Sequence, residues 1–329
     1  MASSSEVSVG GEAVESSTFW GSETKRKRLR VALVRHGQSL NNVHEALSRE
    51  SYIANRLPDP DLSDLGFKQA ALLSEYLKDE ARCQPTLGIH PVHELWVSPV
   101  KRTLQTMAPT AAALGLRPQV NVKLYEAGGI YDHDRATATA TAYGAISPRP
   151  GLTRAEMAER FPTYTLPPEV TDQGWYRGAG KETTAECRTR ARGVAEDFKA
   201  AAAALESDKN VVVVVVRRTS SSIEVPNFFF FFSPSLSLSL SLSVSLCLSL
   251  QQHYDFISAL LDELVIPERN HTGPFVNWHH FNTAVTVLDI SEHGAVSLSA
   301  VNSVGHLVPG DASIAGVDDS AGLISGFSL

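Results

Sequence analysis

The chain has 329 residues, 43% of them hydrophobic and 20% charged, and a formal net charge of −7. That length buries a sizeable core as one large α/β domain or two, while the acidic balance excludes a dedicated nucleic-acid binder. Three cysteines, Cys83, Cys187 and Cys247, lie far apart, with no disulfide framework and no zinc spacing, so a cytoplasmic, reducing location is expected.

Residues 1–28 read as a disordered tail, rich in Ser, Gly and Glu and lacking an apolar core, so no secretory signal is expected there. Lys25-Arg26-Lys27-Arg28 fits a solvated run before the first strand, with a nuclear address as the alternative. The first strand is 30–34. A helix capped by Ser63 or Asp64 follows, with Leu65, Ala70, Leu72, Leu73, Tyr76 and Leu77 at helical spacing. A second strand at 92–97 ends at Ser98-Pro99 and leads into a helix through Leu104 and Met107, which Pro109 is placed to bend or restart. A third strand falls near 120–124. The stretch 126–180 is loop-rich, with a short helix at 153–160, and is expected to carry substrate contacts. An alanine-rich helix covers 182–205. Asn210 followed by six valines reads as a buried central strand, since near-continuous apolar runs belong to parallel sheets covered on both faces. A helix at 256–265 and strands at 284–290 and 295–301 complete the domain, 29–305, before a flexible tail at 306–329. The alternation predicts a three-layer α/β/α fold with a mostly parallel central sheet.

The most informative stretch is Arg35-His36-Gly37-Gln38-Ser39, where the first strand stops. Open α/β sheets place ligands at the carboxyl ends of their strands. A guanidinium matches phosphate oxygens as a fork, Gly37 lets backbone approach an anion, and Gln38, Ser39 and Asn42 add neutral donors. Such a cluster holds a phosphoryl group against a nucleophilic imidazole. The competing reading of His36 is an ordinary turn histidine.

Arg35-His36-Gly37-Gln38-Ser39-x-x-Asn42 resembles the signature of the histidine phosphatase superfamily, the phosphoglycerate mutase-like enzymes. The segment from Asp59 to Ala70 is similar to that family's entry into its first helix. Ser98-Pro99-Val100-Lys101-Arg102 is similar to its second arginine motif, and Leu124-Tyr125-Glu126-Ala127-Gly128-Gly129 to the place of its acidic residue. The resemblance implies a phosphoglycerate mutase-like fold in which His36 is the nucleophile. It further implies that Arg35 and Arg102 clamp the phosphoryl oxygens and Glu126 is the general acid and base. His253 would be a second histidine donating to the phosphoryl group. It carries over by the residues after it, not by those before it. The expected substrate is a small phosphomonoester, with hydrolysis as the leading activity, mutase-type transfer as the alternative, and a catalytically impaired product as a third. No cofactor, metal, nucleic-acid or membrane partner is expected, and oligomeric state is not legible.

Between the valine run and His253 the chain departs from the family pattern. Residues 216–252 contain five consecutive phenylalanines and a Ser-Leu alternation. A CT-repeat translates as alternating Ser (TCT) and Leu (CTC), and a T-rich tract as phenylalanine, so the segment reads as a translated pyrimidine tract. Val216-Arg217 is compatible with a splice-donor beginning and Gln252 with an acceptor ending. A retained intron or gene-model error is therefore suspected. A membrane span, a period-two strand and a natural low-complexity loop are the competing readings.

Overall fold

The computed structural model describes residues 27–139, 143–215, 256–266, 276, 278 and 280–307. The suspected insertion at 216–252, His253, Lys25 and the tail from 308 onward lie outside the described residues.

In chain order the elements are β1 (Arg28–Arg35), α1 (Leu40–Leu47), α2 (Arg49–Asn55), α3 (Asp64–Lys78), α4 (Glu80–Leu87), β2 (Glu94–Val97), α5 (Lys101–Leu114) and β3 (Gln119–Val120). They continue with β4 (Tyr131–His133), β5 (Ile146–Pro148), α6 (Arg154–Arg160), α7 (Thr184–Ala203), β6 (Lys209–Val215), α8 (Phe256–Val265), β7 (Val285–Ser291) and β8 (Val296–Ser303). The main sheet has the order β3-β2-β6-β1-β7-β8. Its β3-β2, β2-β6 and β6-β1 pairs are parallel, and β1-β7 and β7-β8 antiparallel.

The valine run explains the layering. β6 lies between β1 and β2, and its residues alternate between two cores. Val211, Val213 and Val215 pack with α7 and α8, and Val212 and Val214 with α3, α4 and α5. β1 does the same, with Leu29, Val31 and Leu33 on one face and Ala32 and Val34 on the other. Both faces are covered, which is why polar alternation is missing from these strands. The three-layer α/β/α expectation is therefore met.

Several boundaries differ from the sequence reading. α5 runs unbroken through Pro109, because Leu104, Met107 and Ala111 on either side are locked into the core and that packing outweighs the lost helical bond. β3 is two residues long. The short antiparallel β4-β5 hairpin stands inside the stretch read as loop. Arg28, assigned to the tail, opens β1, where its N–H donates to Asp208 at 3.2 Å. At the other end His306 and Leu307, also assigned to a tail, are buried.

Leu33 is wholly buried at the centre of the sheet. Leu33→Ala is expected to cost about 2–5 kcal/mol, read as a lower denaturant midpoint with an unchanged slope in chemical unfolding.

Candidate active site

The carboxyl end of β1 is fixed from three sides. The N–H of His36 donates to the carbonyl of Val215, the last residue of β6, at 3.1 Å. The His36 carbonyl accepts from Asn282 Nδ2 at 3.0 Å and from the Thr283 N–H at 3.3 Å. The Gly37 N–H donates to Thr106 Oγ1 of α5 at 3.0 Å. The strand end therefore cannot shift without disturbing both sheet neighbours and a helix.

The imidazole of His36 is buried, and its two nitrogens are assigned by their partners. Nδ1 lies 2.6 Å from the Gly37 carbonyl, which can only accept, so Nδ1 carries the proton. Arg102 Nε lies 3.3 Å from Nε2, and a guanidinium can only donate, so Nε2 presents its lone pair. This is the neutral tautomer that a nucleophilic imidazole needs.

Gly37 and Gly66 are where α3 abuts this turn. A Cβ on Gly37 would sit 2.6 Å from the Gly66 carbonyl oxygen, and a Cβ on Gly66 would sit 2.0 Å from the Gln38 carbonyl oxygen. No side chain fits in either place. Ser63 caps α3 by accepting from the Gly66 N–H at 3.1 Å, and its hydroxyl donates to Gln38 Oε1 at 2.7 Å. The Gln38 N–H donates to Gln69 Oε1 at 2.8 Å. Gln38 is thus held to α3 through its Oε1 and its backbone N–H. Ser39 and Asn42 form a capping box at the start of α1 and face the cavity.

Arg102 stands in the first turn of α5, whose N-cap, Val100, supplies no side-chain acceptor. Asp59 fills that role from another loop, its Oδ1 accepting from the Lys101 N–H at 3.0 Å. Asp61 accepts from Lys101 Nζ at 2.8 Å and Gln105 Nε2 at 2.9 Å. The loop before α3 is thereby laid along α5. Asp59 Oδ2 is buried without a hydrogen-bond partner among the described residues. Burial pushes the Asp59 carboxyl up to about 6, against the pull of Arg102 and the Lys101 amide. Burial also draws the Arg102 guanidinium below its ordinary value, opposed by Glu126 and Asp59.

Glu126 follows β3 in a turn that needs two glycines, Gly128 at φ +95° and Gly129 at φ +73°. Its Oε1 accepts from the Ala127 N–H at 2.8 Å and from the Phe256 N–H at 3.4 Å, at the start of α8. Behind the turn, Arg190 forms a fork with Glu182 (2.8 and 2.6 Å) and donates to the carbonyls of Lys123 and Tyr125. The Gly128 N–H donates to the same Glu182.

His36, Ser39, Asn42, Arg102 and Glu126 meet on the wall of one cavity, about 560 Å³ with its open mouth included. Arg35 lies behind that wall, 3% exposed, donating from Nη1 to the His280 carbonyl at 2.6 Å. His253 lies outside the described residues. The wall also holds Tyr52, Arg56 and Tyr131, none of which was singled out from the sequence. The available signal for Arg56 was the break Arg56-Leu57-Pro58, where α2 ends and the chain is forced extended.

The sequence profile of the histidine phosphatase superfamily (branch 1) matches residues 31–219. The chain belongs to this superfamily. The matched stretch takes in Arg35, His36, Arg102 and Glu126 and stops before His253. Phosphoglycerate mutase-like protein 2 of Arabidopsis thaliana is 33% identical over 106 residues, which are 32% of this chain and 29% of that protein. The chain therefore spans less than a third of that relative's length. Among solved structures, a mycobacterial glucosyl-3-phosphoglycerate phosphatase is 19% identical, with 84% of this chain and 100% of that one covered at a TM-score of 0.44. Phosphoglycerate mutase from Bacillus anthracis is 14% identical, covering 86% and 97% at a TM-score of 0.43. Among the described residues no helix is long and apolar enough to cross a membrane.

Asp59 yields a signed pH prediction. Its folded value of about 6 exceeds the unfolded value of about 3.9, so the folded state holds the proton more tightly and this residue's contribution weakens as pH rises through that window. Asp59→Asn keeps an oxygen for the Lys101 amide and removes the titration. The thermal midpoint of the variant, relative to wild type, is expected to climb between pH 4 and pH 6.5. A pH-independent difference would exclude a raised Asp59.

Proposed function

We propose that the protein is a phosphomonoester hydrolase that works through a phosphohistidine on His36. The observation that carries this reading is the fixed tautomer, with Nδ1–H on the Gly37 carbonyl and the Nε2 lone pair turned toward Arg102 and the cavity. Nε2 attacks phosphorus and the ester P–O bond breaks. Glu126, entering protonated, gives its proton to the leaving oxygen. Its carboxylate then takes a proton from water, whose oxygen attacks phosphorus, and the P–N bond breaks to release phosphate and restore His36. Arg102 transfers its N–H from Nε2 to a phosphoryl oxygen as substrate arrives, and with Arg35 it offsets the charge on the equatorial oxygens. Ser39 and Asn42 contribute neutral donors at the wall.

His253 is the proposed second histidine. Two described contacts support that reading. Val215 bonds His36 and Phe256 bonds Glu126, so both flanks of the stretch containing His253 end at the site, and His253 is three residues from Phe256 in sequence. The expected substrate is a small phosphorylated molecule. The mutase-like relative in Arabidopsis favours a second reading, in which a substrate hydroxyl replaces water as the acceptor of the same phosphoryl group.

Two measurements test the chemistry. Neutral or alkaline quenching during turnover is expected to trap an acid-labile phosphoryl group, and His36→Ala to abolish both the label and phosphate release; retained turnover would remove His36 as nucleophile. Glu126→Gln is expected to slow alkyl phosphates by about 10²–10⁴-fold and aryl phosphates with good leaving groups much less. Equal losses would make Glu126 a positioning residue. Release of free phosphate in the absence of an alcohol acceptor separates hydrolysis from transfer.

A further inference from the structure

One loop, residues 280–284 before β7, holds both residues at the end of β1. The His280 carbonyl accepts from Arg35 Nη1 at 2.6 Å, and the Ala284 carbonyl from the Arg35 N–H at 3.1 Å. The His36 carbonyl accepts from Asn282 Nδ2 at 3.0 Å and from the Thr283 N–H at 3.3 Å. Thr283 makes its bond from left-handed backbone, at φ +58°. A β-branched residue is a true outlier there and persists only where its surroundings hold it.

What holds Thr283 comes from beyond the last strand. Its side chain is wholly buried, with Oγ1 2.7 Å from the Asn282 carbonyl and 2.8 Å from Nε2 of His306. A carbonyl can only accept, so the single hydroxyl proton goes to Asn282. His306 Nε2 therefore carries a proton and donates it to Thr283 Oγ1. His306 is itself buried, its ring 5.8 Å from that of Tyr76 on α3. Burial draws its imidazole down to about 4, with Arg82 adding to the pull, so near pH 7 this bond joins neutral groups. At the end of β8, Asn302 Oδ1 accepts from the Phe281 N–H at 2.8 Å and ties down the same loop. The proposed phosphoryl chemistry uses neither His306 nor the Thr283 hydroxyl.

From this we infer that His306 is a positioning residue for the nucleophile, its Nε2–H locking Thr283 in the left-handed turn that grips the His36 carbonyl. That carbonyl and the Gly37 N–H belong to one peptide plane, which Thr106 holds from its other side. The Gly37 carbonyl, which fixes the His36 tautomer, is aimed from that plane. The inference rests on the proposed phosphohistidine chemistry and adds to it a residue that never meets the substrate.

The test measures phosphate release from para-nitrophenyl phosphate by the full chain, under conditions where circular dichroism shows each variant folded. His306→Leu is expected to lower kcat by on the order of 10- to 100-fold with KM within about threefold, since about 1 Å of misplacement costs on the order of 100-fold. His306→Gln, whose amide nitrogen reaches as far as the imidazole Nε2, is expected to recover most of that loss. His306→Asn, whose amide ends where Nδ1 stands, is expected to recover little. Thr283→Gly takes φ +58° without strain and keeps the N–H on His36, so the loop folds without its lock. Its kcat is expected to match that of His306→Leu, with no further loss in the double variant. Should His306→Leu not fold, the Gln and Asn variants and Thr283→Gly decide. Imidazole-nitrogen NMR of histidine-labelled protein, with the His36 signals identified by their loss in His36→Ala, reads the tautomer without turnover. Wild type is expected to show Nδ1–H at His36, and His306→Leu a mixture. An unchanged kcat in His306→Leu, equal rescue by Asn and Gln, or multiplied losses in the double variant would overturn the positioning role. An altered tautomer in His306→Leu with no hydrolysis by wild type would refute the hydrolase reading alone.

Discussion

A single short hydrogen bond, from Nδ1 of His36 to the carbonyl of the next residue, sets what the rest of the molecule must accomplish. It leaves Nε2 as the basic nitrogen, but only while the Gly37 carbonyl keeps its direction. That direction is held by the Gly37 amide on Thr106, by the touching backbones of the turn and of Gly66, where neither glycine can carry a side chain, and by the β6 carbonyl that grips His36. β1, β6, α3 and α5 are thus placed by one requirement. The two hydrophobic cores make that placement stiff, since close-packed interiors yield little to small displacements.

Glu126 has its own support. Glu126 sits in a two-glycine turn that would be free to wander but for Arg190. That side chain reaches from α7 to two carbonyls of the turn, pairs with Glu182, and lies 3.6 Å from the centroid of Tyr125 and 4.3 Å from that of Phe256. Glu182 in turn accepts from the Gly128 amide. A side chain from α7 therefore braces the turn that carries Glu126, so His36 and Glu126 are held by different parts of the scaffold.

The parts of this arrangement that were legible in the sequence share a physical cause. β6 announced itself because its valines are covered on both faces, and α8 because its apolar residues are dense. His36, Arg102 and Glu126 were legible because each follows a strand and has a distinctive local neighbourhood. Arg56 was not, since its place on the cavity wall depends on its contact with Tyr131, 75 residues away, which no local pattern encodes. Asp59 was read as part of a helix entry, and its capping of α5 depends on a contact between segments 42 residues apart. Gln38 was read from its place beside a phosphate motif, whereas its hold on α3, through Oε1 to Ser63 and through its backbone N–H to Gln69, joins segments that the motif does not encode. The β4-β5 hairpin pairs three residues on each side, too few for alternation to register.

The two ends of the stretch from 216 to 255 are tied down independently, Val215 to His36 and Phe256 to Glu126. A connection whose ends are already anchored pays for added length only through chain entropy, which grows logarithmically, by about 0.6 kcal/mol per doubling. Lengthening a link of roughly five residues to roughly forty is three doublings, or about 2 kcal/mol. Evolution, or a splicing accident, can therefore change the reading length of the gene at this point without redrawing the geometry of His36, Arg102 and Glu126. Were residues 216–252 such an addition, the groups anchored at both ends of the link would keep their places, and the burden would fall on the residues carried within it.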